Sequence, residues 1–283
     1  MALSYPVFFI AYAVSLVVGL FVAIVLAVGW KDVFWRKAFA SLRYNAVYIM
    51  LLVAFPVLIR VQDIAVEALS SSGNNTREIV YTNWIFSLSG GVIRVIQDRL
   101  DYRILVDFFN AVYVWLFMFF LCYVPALFVT VDDRVSLRRY SIAMTVNYII
   151  LIAFYAVFPV SVSGSHPGAG VTPLLYTDTY WGRMVTGIDP LDNDFPSAHV
   201  SIMVITILTC HYSGERWRKV YIFAVASTAL VVFAVLYLGI HWPADVFSGF
   251  LAAIFAFAVA TSERVQMTID RYVRTANRRL FGV

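Results

Sequence analysis

Seven apolar runs, each near the length of a bilayer crossing, leave this chain little choice of environment. They lie at about 7–29, 45–62, 104–130, 141–160, 197–212, 218–239 and 243–262. A membrane helix needs roughly 20 mostly apolar residues, because its backbone polar groups must be satisfied within the segment. Only 13% of the residues are charged, against roughly a quarter in a soluble domain, and the mean hydropathy is +0.81. A water-soluble globular fold is excluded. The expected architecture is an all-α polytopic transmembrane helical bundle, a single membrane domain over 1–283. Between the second and third runs, Ser70–Asn75 reads as a loop, and Ile79–Arg103 looks amphipathic, as a segment lying at the membrane interface would. Cys122 and Cys210 fall inside apolar runs and read as packing residues. They offer no disulfide framework and no CxxC metal signature.

Charge gives the bundle a direction. Segments 30–44, 131–140 and 213–219 and the tail beyond 262 hold 15 of the 21 Lys and Arg residues. With seven spans, all four lie on one side, which the positive-inside rule assigns to the cytoplasm. The N-terminus is then outside and the C-terminus inside, and loops 63–103, 161–196 and 240–242 face out. The net charge of +4 therefore speaks for a membrane surface, and no nucleic-acid partner is expected.

Two short segments carry the chemistry. One is Asp194-Phe195-Pro196-Ser197-Ala198-His199, the other Tyr237-Leu238-Gly239-Ile240-His241-Trp242-Pro243-Ala244-Asp245. Ionisable groups at the head of membrane helices are costly and point to function, although a lone histidine there also serves as a cap. Spacing separates the two cases. From His199 to His241 the chain has room for one helix in, a basic turn at Glu215–Lys219 and one helix back, so both histidines return to one face. His241 and Asp245 are four apart, on one side of a helical turn. The carboxylate can hold one imidazole nitrogen as a donor and leave the other as nucleophile or base. Ser197 and the backbone N–H groups that follow it, including Ala198, form an anion-binding helix start.

Pro196-Ser197-Ala198-His199, followed by Tyr-Leu-Gly-x-His-Trp-Pro-x-Asp-Val-x-x-Gly over Tyr237–Gly249, resembles the type 2 phosphatidic acid phosphatase (PAP2) superfamily. The resemblance covers roughly 104–262. It divides the chain into N-terminal helices with an outward loop (1–103), a catalytic core (104–262) and a basic cytoplasmic tail (263–283). It implies that His241 is the nucleophile that forms a phosphohistidine, Asp245 its orienter, His199 the general acid and base, and Ser197 a phosphate ligand. Neither a metal nor a cofactor is implied. Tyr155-Ala156-Val157-Phe158-Pro159 is similar to the Tyr-x-x-Phe-Pro run of the inositol phosphorylceramide synthase-like branch.

The sequence departs from the family pattern where cations are expected. Ala234 and Val235 stand where Ser-Arg is usual, and the Lys-x6-Arg-Pro motif is absent. Arg183, Arg94, Arg99 and Arg103, all in outward loops or at their edges, are candidates to replace the clamp, since arginine binds phosphate bidentately. Each also reads as a snorkelling or solvated residue. His166 is a candidate headgroup contact or an exposed turn residue. Asp189, Asp192 and Asp194 read as a solvated loop, because their spacing fits no closed metal site. The expected partner is a membrane lipid, in the cell membrane, with the active site on the non-cytoplasmic face. A site short of cations suits a singly charged phosphodiester, which tilts the expectation to transfer of a phosphorylated headgroup onto an alcohol such as a sugar or inositol. Simple lipid phosphate hydrolysis and a non-catalytic lipid-binding or transport role are the alternatives.

Overall fold

The computed structural model describes residues 5–29, 35–54, 57–58, 61, 75–89, 91–177, 180–186 and 194–281. The described residues are helical, with no strands. The helices are α1 (Tyr5–Val28), α2 (Trp35–Tyr44), a further helical stretch over 46–54, α3 (Asn75–Ser89), α4 (Val92–Arg99), α5 (Arg103–Thr130), α6 (Arg134–Val157), α7 (Trp181–Thr186), α8 (Ala198–Tyr212), α9 (Arg218–Tyr237), α10 (Pro243–Thr261) and α11 (Glu263–Phe281). Five of them, α1, α5, α6, α9 and α10, are long and apolar enough to cross a membrane, and the chain is an integral membrane protein. α8 is apolar but shorter, at 15 residues. The expected span at 45–62 lies partly outside the described residues. The expected run at 141–160 begins earlier, at Arg134, because Asp133 caps that end: its carboxylate accepts from the Ser136 N–H at 3.1 Å.

The core is a bundle of α5, α6, α8, α9 and α10. α10 packs chiefly against α6 and α8. It does so through a stripe of small side chains, Gly249, Ala252, Ala253, Ala256 and Ala260, which lets helix backbones approach closely where lipid supplies no hydrophobic drive. A polar tie crosses the interior: Asn147 Nδ2 of α6 donates to Ser201 Oγ of α8 at 3.0 Å. Thr206 and Thr209 return their hydroxyls to carbonyls one turn back, at 3.0 and 2.8 Å, so these buried groups do not oppose packing.

The two ends of the bundle differ. At one end the basic segments meet. Ser136 bonds Ser213 at 2.7 Å, Trp217 Nε1 donates to Asp133 at 2.9 Å, Arg134 stacks on Tyr44, and Arg138 pairs with Asp270. At the other end lie both sequence segments singled out above. There α3 and α4 cover the polypeptide rather than standing apart from it. Thr82 and Glu78 bond Ser161, Ile85 and Ile93 are fully buried, and Phe86 lies 5.7 Å from Trp242. Gln97 bridges the Thr172 backbone and the Tyr237 carbonyl at 2.8 Å each. The amphipathic reading of 79–103 therefore needs amending: the apolar faces of α3 and α4 are held partly by protein, forming a cap over the loop that carries His241.

Candidate active site

Residues 238–242 make the tight turn that presents His241. Gly239 has φ +73°, and a Cβ there would meet the Thr172 carbonyl at 2.7 Å, so glycine is needed for both conformation and space. Ser163 N donates to the Ile240 carbonyl and Gly164 N to that of Gly239, at 3.2 and 2.8 Å. Trp242 is fully buried and donates Nε1 to the Ser161 carbonyl at 3.0 Å. Pro243 then opens α10, and Asp245 Oδ2 accepts from the Trp242 N–H at 2.7 Å. The carboxylate thus caps the helix and is held rigidly next to the ring it faces.

Ser197 caps α8, its Oγ accepting from Val200 N at 3.3 Å, and its own N–H donates to the Asp245 carbonyl at 3.1 Å. Ala198 is the first residue of α8. Tyr155 of the Tyr-x-x-Phe-Pro run donates to the Pro196 carbonyl at 3.1 Å. Both helix starts are therefore locked together, and the histidines meet. His199 Nδ1 lies 3.2 Å from His241 Nε2, and both residues are buried.

The far side of His241 is acidic. Its Nδ1 lies 3.6 Å from Asp245 Oδ2 and 3.7 Å from Asp194 Oδ1. Both oxygens lie just beyond hydrogen-bond distance, but their charge favours a proton on Nδ1, which leaves the Nε2 lone pair directed at His199. Burial pushes the His241 pKa down to about 3, opposed by a hydrogen bond with the Asp194 main chain, so the ring is neutral at ordinary pH. The expectation that Asp194 is solvated is corrected here: it is only 4% exposed. Asp189 and Asp192 lie outside the described residues. Asp194, His241 and Asp245 bring one ligand atom each within 4.8 Å of one another. That spacing suits a divalent cation as well as a carboxylate–imidazole relay, although Asp245 Oδ2 is already engaged by the Trp242 N–H.

His199 is walled by aromatic rings from α5, with Tyr113 at 4.6 Å and Phe117 at 4.4 Å between centroids. A π-helical turn over Val112–Leu116 brings both rings to that side, a distortion that recurs at functional sites. One turn earlier, the Asn110 amide is fully buried with neither polar atom hydrogen-bonded. In the sequence nothing distinguishes these three from ordinary residues of an apolar span.

Three of the four cationic candidates have partners of their own. Arg94 pairs with Asp98 at 3.7 Å and lies along Gly170; Arg103 pairs with Asp107 at 3.2 Å; Arg183 stacks on Tyr5 at 4.7 Å. Arg99 ends α4. His166 is engaged at both nitrogens: Nδ1 accepts from Gly168 N at 3.2 Å, which leaves Nε2–H to donate to Asn83 Oδ1 at 2.8 Å. Its ring lies 4.6 Å from Phe86, so it fastens the 160–172 segment to α3.

Comparison with known proteins finds a likeness for part of this arrangement. Residues 166–266 match the family model of the PAP2 superfamily. The matched segment covers 101 of the 283 residues. It contains Asp194, Ser197, His199, His241 and Asp245, whereas the aromatic wall from α5 lies outside it. Over 114 residues the chain is 25% identical to an undecaprenyl-diphosphatase of Sulfolobus acidocaldarius, a match covering 40% of this chain and 50% of that relative. The chain thus spans about half the length of the curated relative it matches. No solved structure matches.

Proposed function

We propose that this protein is a membrane-embedded lipid-phosphate phosphohydrolase working through a phosphohistidine on His241. The observation that carries the reading is the 3.2 Å approach of His199 Nδ1 to His241 Nε2, with Asp245 and Asp194 behind the second ring. In the proposed cycle Nε2 attacks phosphorus as the P–O bond to the lipid breaks, and His199 gives its proton to the departing oxygen. His199 then takes a proton from water, whose oxygen attacks the phosphohistidine, and the P–N bond breaks to release phosphate. The N–H groups at the start of α8 face the phosphate oxygens in this reading.

An in-line reaction needs the attacking and protonating nitrogens roughly 6 Å apart, from a near-attack distance of about 3 Å on one side of phosphorus and a hydrogen-bonded leaving oxygen on the other. The 3.2 Å contact is therefore a resting arrangement that the phosphoryl group opens on binding. The family match and the diphosphatase relative favour a polyprenyl or other lipid phosphate as substrate and water as acceptor. Transfer to an alcohol is a second reading, favoured by one observation: Arg94, Arg103 and Arg183 each face a partner of their own, Asp98, Asp107 and the Tyr5 ring, which suits a less charged phosphodiester.

Rapid-quench reaction of the purified protein with lipid phosphate labelled at phosphorus tests both. Acid-labile, base-stable label on the wild-type chain, absent from His241→Gln, is the expected result. Release as inorganic phosphate supports hydrolysis, and capture by an added sugar or inositol supports transfer. Turnover by His241→Gln would overturn the mechanism. Binding without turnover in the wild type would leave a lipid-binding protein. Activity abolished by a chelator and restored by a divalent cation would assign the Asp194–His241–Asp245 cluster to a metal.

A further inference from the structure

The end of the bundle opposite the histidines holds a cleft of about 270 Å³, lined among others by Tyr44, Tyr48, Arg134, Arg138, Asp270 and Arg274. Three stretches distant in sequence build it: the end of α2 with the residues after it, the start of α6, and the middle of α11. Three guanidinium groups line it against one carboxylate, Asp270, with a second, Asp132, behind Arg134, so the balance is still cationic.

The cations are held in place. Arg134 is fixed by Asp132 at 2.9 Å and lies 4.0 Å over the Tyr44 ring. Arg138 is held by Asp270 and by Gln266 Oε1, the latter at 2.9 Å, while Tyr48 donates to the other Asp270 oxygen at 2.6 Å. Arg274 Nε donates to the Asp270 carbonyl at 3.3 Å, and its side chain is otherwise exposed. With the Arg134 and Arg138 forks engaged, they supply fixed positive charge, and the terminal N–H groups of Arg274 are the ones placed to take phosphate oxygens in a pair.

The surroundings identify the source of that phosphate. Val135, in the lining, is 54% exposed, and Leu42, Met50 and Val53 are exposed nearby in sequence to Tyr44 and Tyr48. A charged hollow beside apolar helix surface matches a headgroup whose acyl chains run along the protein. α11 is amphipathic, with Arg264, Arg271, Arg274, Arg278 and Arg279 along it, a pattern of helices that rest on anionic membrane surfaces.

We propose that this cleft binds the phosphate headgroup of an anionic phospholipid from the leaflet at the basic end, separate from the histidine site. The test measures lipid retained by the purified full chain, using native mass spectrometry after exchange into micelles of phosphatidylglycerol or phosphatidylcholine. Retention of phosphatidylglycerol is expected to exceed that of phosphatidylcholine at least tenfold and to fall by the same factor in the double variant Arg134→Gln/Arg274→Gln. Val135→Trp, which narrows the cleft without changing charge, is expected to lower it too and decides the matter if the double variant misfolds. Equal retention of the two lipids would overturn the proposal, as would Val135→Trp holding lipid like the wild type. Binding of inorganic phosphate as tight as that of the lipid would make this a soluble-anion site and overturn the lipid assignment.

Discussion

Asp194 Oδ1 approaches His241 Nδ1 to 3.7 Å, on the same ring nitrogen that Asp245 Oδ2 approaches to 3.6 Å. The two carboxylates come from different segments: one precedes the cis Phe195–Pro196 bond, the other caps α10. If His241 is the nucleophile, both fix which of its nitrogens carries the proton. Asp245→Asn is expected to lower kcat by about 10³- to 10⁴-fold, the scale for an amide that reverses the tautomer of a catalytic histidine. Asp194→Asn should cost less, about tenfold, because Asp245 remains, and it should leave KM nearly unchanged. Steady-state kinetics of both variants, with melting curves to confirm folding, check this. Wild-type kcat in Asp194→Asn would remove that residue from the mechanism.

Gly249, eight positions after His241, controls how closely the helices bearing the two histidines approach. A Cβ there would lie 2.7 Å from the Ser197 carbonyl oxygen and 3.2 Å from Val200 Cβ. Backbone cannot rotate out of the way as a side-chain tip can, so Gly249→Ala must push α10 from the start of α8. Overpacking of this kind costs about 1–3 kcal/mol. Because it displaces Ser197 and its neighbour His199, activity is expected to fall by about 100-fold. Thermal stability and turnover measured together check the prediction, since a simple packing defect would lower the first and spare the second.

The pH response follows from burial. His241 has its pKa depressed to about 3, so the neutral, nucleophilic form persists well below the usual imidazole range and is lost only as pH falls towards that value. With a lipid phosphate, once the substrate's own second ionisation at about pH 6 is divided out, phosphoenzyme formation is expected to show no further acidic limb near pH 6.5. Rapid-quench yields between pH 4 and 8 test this. A limb centred near 6.5 would mean that His241 is solvated in the working enzyme.

Much of this was legible in the sequence, and the reason is geometric. The distance from His199 to His241 fits two antiparallel helices, and periodicity alone puts His241 beside Asp245. Asp194 was misread because its two acidic neighbours in the sequence, Asp189 and Asp192, make it look like part of a solvated loop. Its burial depends on the Asp194 N–H bonding the Val160 carbonyl at 3.2 Å, a contact between distant segments. Tyr113 and Phe117 gave no signal, since aromatic residues in an apolar span look alike until a π turn selects the ones that face the site. The role of α3 and α4 as a cap was hidden for a similar reason: an amphipathic pattern does not say whether lipid or protein covers the apolar face.

The orientation of the bundle is the remaining expectation, and the two ends make it measurable. The segments rich in Arg and Lys converge where Ser136 meets Ser213, and the histidines lie at the opposite end. The positive-inside rule then places Gly214 in the cytoplasm and Ser165 outside. Cys122 and Cys210 are half-buried and buried, and both can be replaced by alanine to give a background without thiols. In intact cells a membrane-impermeant maleimide is expected to label Ser165→Cys at once and Gly214→Cys only after lysis. The reverse pattern would put the histidines in the cytoplasm, and with them the pool of lipid phosphate on which the proposed reaction draws.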